Sequence, residues 1–353
     1  MRQRRAVAIV STIGLAAVLA GCGDDASGDD SAPPEPCAPA NLIWVYSRYL
    51  DSGPSYPTAV FRLHEGSETR LTDDDAGEDA AMAPDGSRVV FQRGSEGDPE
   101  SAGYTRRRLY VMGSDGTDQR PLLDPVYEVP VTPDTLVAWD TRPIWSPDGT
   151  TIAFTRQATF LDPASPDRFQ GIMVVPAAGG QPRQIAGDNK IREASVGWSA
   201  DSSRLAWTTL QPNTLRWATR QGRELGRLEL PGASGAPAWT DGDRQILVPY
   251  QLGVYGPNPE HGVYQVDFDS GEHTKIPLED AWIEDLWTLP TGEIVGVETL
   301  RDDQANETGG RVVVMDPERP EDGEVIANFE TELNGLVTAV PDDPDGWAAC
   351  TEA

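Results

Sequence analysis

Six stretches of this chain are variants of one pattern. They read AAMAPDGSRVVFQR (80–93), PIWSPDGTTIAFTR (143–156), VGWSADSSRLAWTT (196–209), PAWTDGDRQILVPY (237–250), DLWTLPTGEIVGVE (285–298) and the degenerate LVTAVPDDPDGWAAC (336–350). Each is a short apolar strand, a turn rich in Pro, Asp and Gly, and a second strand of alternating or continuous apolar character. Aligned on Met82, Trp145, Trp198, Trp239, Trp287 and Ala339, the unit recurs every 41 to 63 residues. A period of this size marks a repeat architecture. It also decides how Ser146 and Asp148 are read. One serine and one carboxylate beside a tryptophan could open a catalytic site, but residue types that return at turn after turn are scaffold, hydrogen-bonding local backbone.

A second unit lies between the copies, seen in TAVFRLHEGSETRLT, RLYVMGSDGTDQRPLL, GIMVVPAAGGQPRQI, TLRWATRQGRELGRLEL, GVYQVDFDSGEHTKIPL and RVVVMDPERPEDGEVIANF. Each is strand, polar turn, strand. Ser114-Asp115-Gly116, Ala178-Gly179-Gly180 and Asp269-Ser270-Gly271 supply the positive-φ positions of tight hairpins. Two strand pairs make a four-stranded antiparallel unit, and radial repetition of such units is a β-propeller. The 35 glycines and 30 prolines agree with many short strands, and no helical period stands out beyond the amino terminus. Six blades fit the count. The chain would begin in the second strand of a blade at Asn41–Tyr46 and take that blade's innermost strand from Leu336–Ala339, closing the ring. A surplus strand at Gly346–Cys350 leaves room for a seventh blade.

The stretch Trp145, Ser146, Pro147, Asp148, Gly149, Ile152, Ala153, Phe154 resembles the blade signature of the TolB-like (WD-like) propeller family. The resemblance covers about 41–350. It departs from the pattern at Thr291-Gly292, at Ala200 in place of proline, and at Ala339 in place of the anchor tryptophan. It implies a cell-envelope protein that works through protein–protein interaction.

The amino terminus has Arg2, Arg4 and Arg5, then the apolar run Ala6–Gly21, ending Leu19-Ala20-Gly21-Cys22. The run is short for a membrane span and has the layout of a secretory signal. It resembles a bacterial lipoprotein signal peptide with its lipobox. The resemblance implies cleavage before Cys22, a diacylglyceryl thioether on Cys22, and acylation of the new amino terminus by a chain such as palmitate. Several acyl chains together hold a protein stably on a membrane. Residues 1–21 are then the signal peptide. Residues 22–40 form an acidic, Pro/Gly/Ser-rich tether with too little apolar surface to fold, and 41–353 are the propeller. The remaining cysteines, Cys37 and Cys350, flank that domain. An isolated pair in an exported chain suggests a disulfide joining its two ends, with two free thiols as the alternative.

The formal charge of −29, with Lys190 and Lys275 as the only lysines, disfavours nucleic acid and anionic membrane surfaces as partners. The three histidines, His64, His261 and His273, have no metal-pair spacing. His64 and His273 fall in hairpin turns, and His261 lies in a loop from which it could reach a face of the propeller. Gly197-Trp198-Ser199-Ala200-Asp201 imitates a nucleophile elbow but lacks the closing glycine and the following helix. Asp73-Asp74-Asp75 with Glu78-Asp79, and Glu284-Asp285, stand just before innermost strands and could form an acidic rim that binds a cation or a basic peptide. Tyr46, Tyr49, Tyr56, Tyr250 and Tyr255 are candidate contact aromatics or inter-blade packing.

No catalytic, cofactor or metal set emerges from these residues. The expectation is a non-enzymatic, lipid-anchored envelope propeller that binds another envelope protein, a peptide or a ligand. The anchor would lie on the outer face of the cytoplasmic membrane, or in the periplasm or outer membrane of a two-membrane cell. The alternatives are a propeller lyase or hydrolase with a carboxylate site in its channel, and a cation or small-ligand sensor.

Overall fold

The computed structural model describes residues 42–50, 58–74, 76–94, 106–129, 135–162, 169–187, 195–210, 213–240, 243–253, 260–278, 282–289, 294–301, 307–329, 333 and 337–341. Cys22, Cys37, Cys350, Asp75, Tyr56, Tyr255, Thr291-Gly292, the tether and the Gly346–Cys350 strand lie outside the described residues.

The first five copies of the pattern each become a hairpin, and the sixth supplies the strand Thr338–Pro341. The chain opens with β1 (Leu42–Tyr49), β2 (Thr58–His64) and β3 (Ser67–Arg70). Then come β4 (Gly77–Met82), β5 (Arg88–Gly94), β6 (Arg106–Gly113) and β7 (Arg120–Pro121), followed by β8 (Thr135–Trp145), β9 (Thr151–Phe160), β10 (Phe169–Pro176) and β11 (Arg183–Gly187). The next four are β12 (Val196–Trp198), β13 (Arg204–Leu210), β14 (Asn213–Thr219) and β15 (Glu224–Glu229). After them run β16 (Ala238–Trp239), β17 (Gln245–Leu252), β18 (Glu260–Asp267) and β19 (His273–Pro277). The chain finishes with β20 (Trp282–Thr288), β21 (Ile294–Arg301), β22 (Glu307–Asp316), β23 (Arg319–Phe329) and β24 (Thr338–Pro341). A short 3-10 turn spans Pro125–Tyr127.

Neighbouring strands pair antiparallel, and β24 pairs with β1 in the order β24-β1-β2-β3, with Leu42 opposite Pro341 and Trp44 opposite Ala339. One feature was not legible from the repeats. The start of β6 runs parallel to β8, Arg106 against Ala138 and Arg107 against Trp139, and this fuses two four-strand units into one larger sheet. The fusion follows from the length of β8, which extends well upstream of its repeat to Thr135.

The inner strands read as continuous apolar runs because both of their faces are covered. Hydrophobic clusters sit between sheets that are consecutive in sequence. Trp145, Ile152 and Phe154 pack with Ala81, Val90 and Leu109 of the preceding unit, and Trp198 and Leu205 pack with Ala153 and Ile172. A further cluster joins the first unit to the last, with Trp44, Tyr46 and Phe61 against Val295, Val297 and Val312.

The repeated turn is built alike in four units. Ala83, Ser146, Ser199 and Thr240 each donate a backbone N–H to the residue five positions on, at 2.8–3.1 Å. Ser146 Oγ donates to Asp148 Oδ1 (2.5 Å) and accepts the N–H of Thr151 (3.0 Å), and Ser199 and Asp201 do the same with Arg204. The fourth turn position is left-handed throughout: Gly86 (φ 69°), Gly149 (66°), Ser202 (60°) and Asp243 (53°). Glycine is the natural occupant. Where it is replaced, the side chain bridges to the preceding unit: Ser202 Oγ accepts Asp148 N–H and Asp243 Oδ1 accepts Ala200 N–H, each at 3.0 Å.

These turns define one end of the molecule. The opposite end carries the longer connections between sheets, and there the innermost strands begin.

Candidate functional site

At that loop end, residues in or just before strands of all five described sheets converge. Asp79 lies in β4, Arg142 in β8 and Asp285 in β20, with Ser195 and Ala236 just before β12 and β16. All five line one narrow cavity of about 20 Å³, taken as the volume open to the centre of a water molecule. That is room for about one water. The first unit joins through Ser47, whose Oγ accepts the N–H of Asp79 at 3.0 Å.

The side chains are aimed by irregular backbone. Pairing slips between Glu78 and Ala81, between Thr141 and Ile144, and between Ile283 and Asp285. Bulges of this kind re-aim side chains and concentrate beside functional sites. Asp79 (φ 46°) and Arg142 (φ 54°) are left-handed non-glycine residues, a conformation that costs on the order of 1 kcal/mol or more each and persists only when surroundings enforce it. Hydrogen bonds do so here. Arg142 Nη1 donates to Ser195 Oγ, and Asp285 Oδ1 accepts the N–H of Ala236 at 2.6 Å. Burial lifts the Asp79 carboxyl from 3.8 to about 6; Glu78 and Asp285 push the same way, while Arg142 and Arg107 oppose them. Asp79 is thus buried between a guanidinium that favours its charge and carboxylates that oppose it.

Around this point lies a layer of ion pairs. Glu78 accepts from Gln92 Nε2 (2.6 Å) and meets Arg107 at 2.9 Å. Arg107 also lies 4.7 Å over the Trp139 ring. Arg106 and Arg108 both engage Glu128, and Arg156 holds Asp140 by two hydrogen bonds of 2.7 Å. Burial raises the Asp140 carboxyl despite that pairing. Outside this layer, still at the loop end, three large apolar side chains stand in solvent: Val126 (74 % exposed), Leu136 (50 %) and Leu161 (62 %).

The expected acidic rim is therefore divided. Asp79 and Asp285 do meet. Glu78 turns into the buried ion pairs, Asp74 pairs with Arg93, and Asp73 is exposed. Among the described residues no group of three or more His, Cys, Asp or Glu side chains is placed to hold a metal ion. His261 stacks on Trp282 with centroids 4.7 Å apart at the loop end, His64 is half-buried and His273 is exposed. Tyr46 and Tyr250 are buried and serve packing, while Tyr49 is half-buried.

Gly197 has a packing reason that replaces the elbow reading: a Cβ there would lie 1.9 Å from the Pro237 carbonyl oxygen. Arg142 and Ser195 escaped sequence reasoning. The dipeptide Arg142-Pro143 carried a signal, because proline inside a strand is confined to edges and bulges.

No family model matches the chain, and no curated protein matches it. Solved structures do. A protein assigned to TolB from Agrobacterium tumefaciens superposes with a TM-score of 0.54 at 17 % identity, over 87 % of this chain and 95 % of that one. The fold is a TolB-like β-propeller. TolB from Acinetobacter baumannii gives 0.53 at 13 % identity over 86 % of this chain and 67 % of its own. An oligogalacturonate lyase from Vibrio parahaemolyticus gives 0.50 at 10 % identity over 82 % and 80 %. These identities establish architecture alone, since propellers with and without enzymatic activity share it. In a closed β-propeller the ends of the innermost strands frame the central channel, and Asp79, Arg142, Ser195 and Asp285 stand where the innermost strands of this chain begin.

Proposed function

We propose that this chain is a non-enzymatic, lipid-anchored propeller of the cell envelope that binds a protein or ligand partner on its loop end. The observation that carries the reading is the occupied channel mouth. Asp79, Arg142, Ser195 and Asp285 leave about 20 Å³ there, far below the few hundred Å³ that an enclosed small-molecule site uses. Recognition then falls to the rim and loops, where Val126, Leu136 and Leu161 are exposed beside a charged layer. Loops on a rigid scaffold are where binding residues concentrate.

The ring in this reading has six blades and is closed by β24 on β1. The pairing of those strands and the cluster shared by the first and last units support it. Cys22 carries the lipid and residues 22–40 are the tether. Leu42 and Pro341, the described residues nearest in sequence to Cys37 and Cys350, face each other, which supports a disulfide between the two cysteines. Leu42 lies at the tight-turn end, opposite the loop end. The membrane meets this protein through the acyl chains on Cys22, and its other partner is an envelope protein or peptide.

Photo-crosslinkers installed at Leu136 and Leu161, compared with one at Asp115 in a tight turn, test the reading in native membranes. Adducts specific to the loop end are expected. Turnover of polysaccharide or peptide by the purified protein, lost on Asp79→Asn, would overturn it. Mass analysis of the mature amino-terminal peptide checks acylation of Cys22.

A further inference from the structure

A second cavity lies at the tight-turn end, between the units of β8–β11 and β12–β15. It measures about 600 Å³ on the same scale as the channel mouth, within the roughly 300–1,000 Å³ typical of ligand sites. Val174 and Pro176 contribute apolar surface, Gln181 and Gln184 contribute carboxamides, and Arg183 and Arg220 contribute guanidinium groups. Not one lining residue is acidic, although the chain has 57 acidic side chains against 28 basic ones. A patch with the opposite charge bias to the rest of the molecule selects its ligand by sign.

The basic groups are also arranged. Arg220 is fixed by Asp148 (2.7 Å), by Thr150 Oγ1 (2.6 Å) and by Thr151, and its guanidinium lies 5.7 Å from the Trp198 ring centre. Its own carbonyl oxygen accepts from Arg183 Nη2 at 2.6 Å. This is the one side-chain hydrogen bond of Arg183 among the described residues, so Nε and Nη1 of that fork are left to a ligand. One arginine is thus locked and positions the other, whose planar fork suits the paired oxygens of a carboxylate or phosphate.

We infer that this inter-blade groove is a binding site for a small organic oxyanion, a carboxylate- or phosphate-bearing molecule whose body lies on Val174 and Pro176. The site is separate from the channel mouth and does not rest on the proposed function.

Titration calorimetry of the full-length protein with glycerol 3-phosphate, and with glycerol as the neutral control, tests it. Saturable binding of the phosphate alone is expected, weakening with added salt. Arg183→Ala should weaken it by about tenfold or more, and Gln184→Glu should abolish it by placing a carboxylate in the groove. Both side chains are exposed, so unchanged melting should accompany both variants. Displacement of the bound phosphate by phosphatidylglycerol vesicles, and not by phosphatidylcholine vesicles, identifies a lipid head group as the source; no displacement identifies a free anion. Absence of binding by both glycerol 3-phosphate and citrate at millimolar concentration, or binding untouched by the two variants, overturns the inference.

Discussion

Ser202 Oγ accepts the backbone N–H of Asp148 across the boundary between two units, at 3.0 Å, from a residue whose own φ is 60°. The serine stands where the signature has glycine and compensates for its strained backbone by joining neighbouring blades. Ser202→Ala removes the acceptor and keeps the strain, and is expected to cost about 1–2 kcal/mol. Ser202→Gly also loses the bond but relieves roughly 1 kcal/mol of backbone strain, so it should cost less. Urea unfolding of the two variants side by side checks the order; equal losses would show that relief of the backbone strain contributes nothing.

Asp79 makes stability depend on pH in a stated direction. Its carboxyl, raised by burial to about 6 from 3.8, holds a proton more tightly in the folded protein than in the unfolded chain. The stability this contributes is complete below pH 3.8 and is lost as pH rises through 6. Asp79→Asn should therefore be more stable than the parent at pH 7.5, by on the order of 2–3 kcal/mol, and the gap should close towards pH 4. Denaturation of both proteins at several pH values reads this difference directly, free of the other carboxylates they share. A gap that does not change with pH refutes it.

Trp145 is expected to be the costliest single position of its repeat. It is 4 % exposed, its Nε1 donates to the Ala81 carbonyl oxygen at 3.1 Å, and Arg88 lies 4.9 Å from its ring centre. Trp145→Phe keeps an aromatic ring but deletes the donor and leaves space, for an expected loss of about 2–4 kcal/mol. Thermal melting against Trp287→Phe, whose tryptophan is only partly buried, provides the comparison.

The proposed Cys37–Cys350 bond has its own readout. Non-reduced digestion should yield one linked peptide pair, and reduction should lower stability by about 2–5 kcal/mol. Free alkylation of both thiols in the native exported protein would remove the bond.

The strand pairs, the turn chemistry and the anchoring role of Trp145 were legible because they repeat, and repetition separates scaffold from chance. Asp79 and Asp285 were also legible, since position before an innermost strand is itself a location. Arg142 and Ser195 were not. Their place depends on bulges, which add residues to one strand without leaving a compositional mark, apart from Pro143. The burial of Glu78 escaped for another reason: a carboxylate reads as solvated until its arginine, here Arg107 on another strand, is brought beside it. The fusion of β6 with β8 likewise depends on a strand outgrowing its repeat, which the period of the signature does not record.

The pairing of β24 with β1 has a consequence for how the chain comes to maturity. Met82 N–H donates to Thr338 Oγ1 across 256 residues of sequence, a contact whose loop-closure entropy is met late in folding. Until then β1 presents a bare edge, the kind of template that recruits foreign strands. A product truncated before Thr338 keeps that edge permanently. The short strand β24 thus works as an inspection mark: only a chain that has been made through Thr338–Pro341 can cover its own first strand.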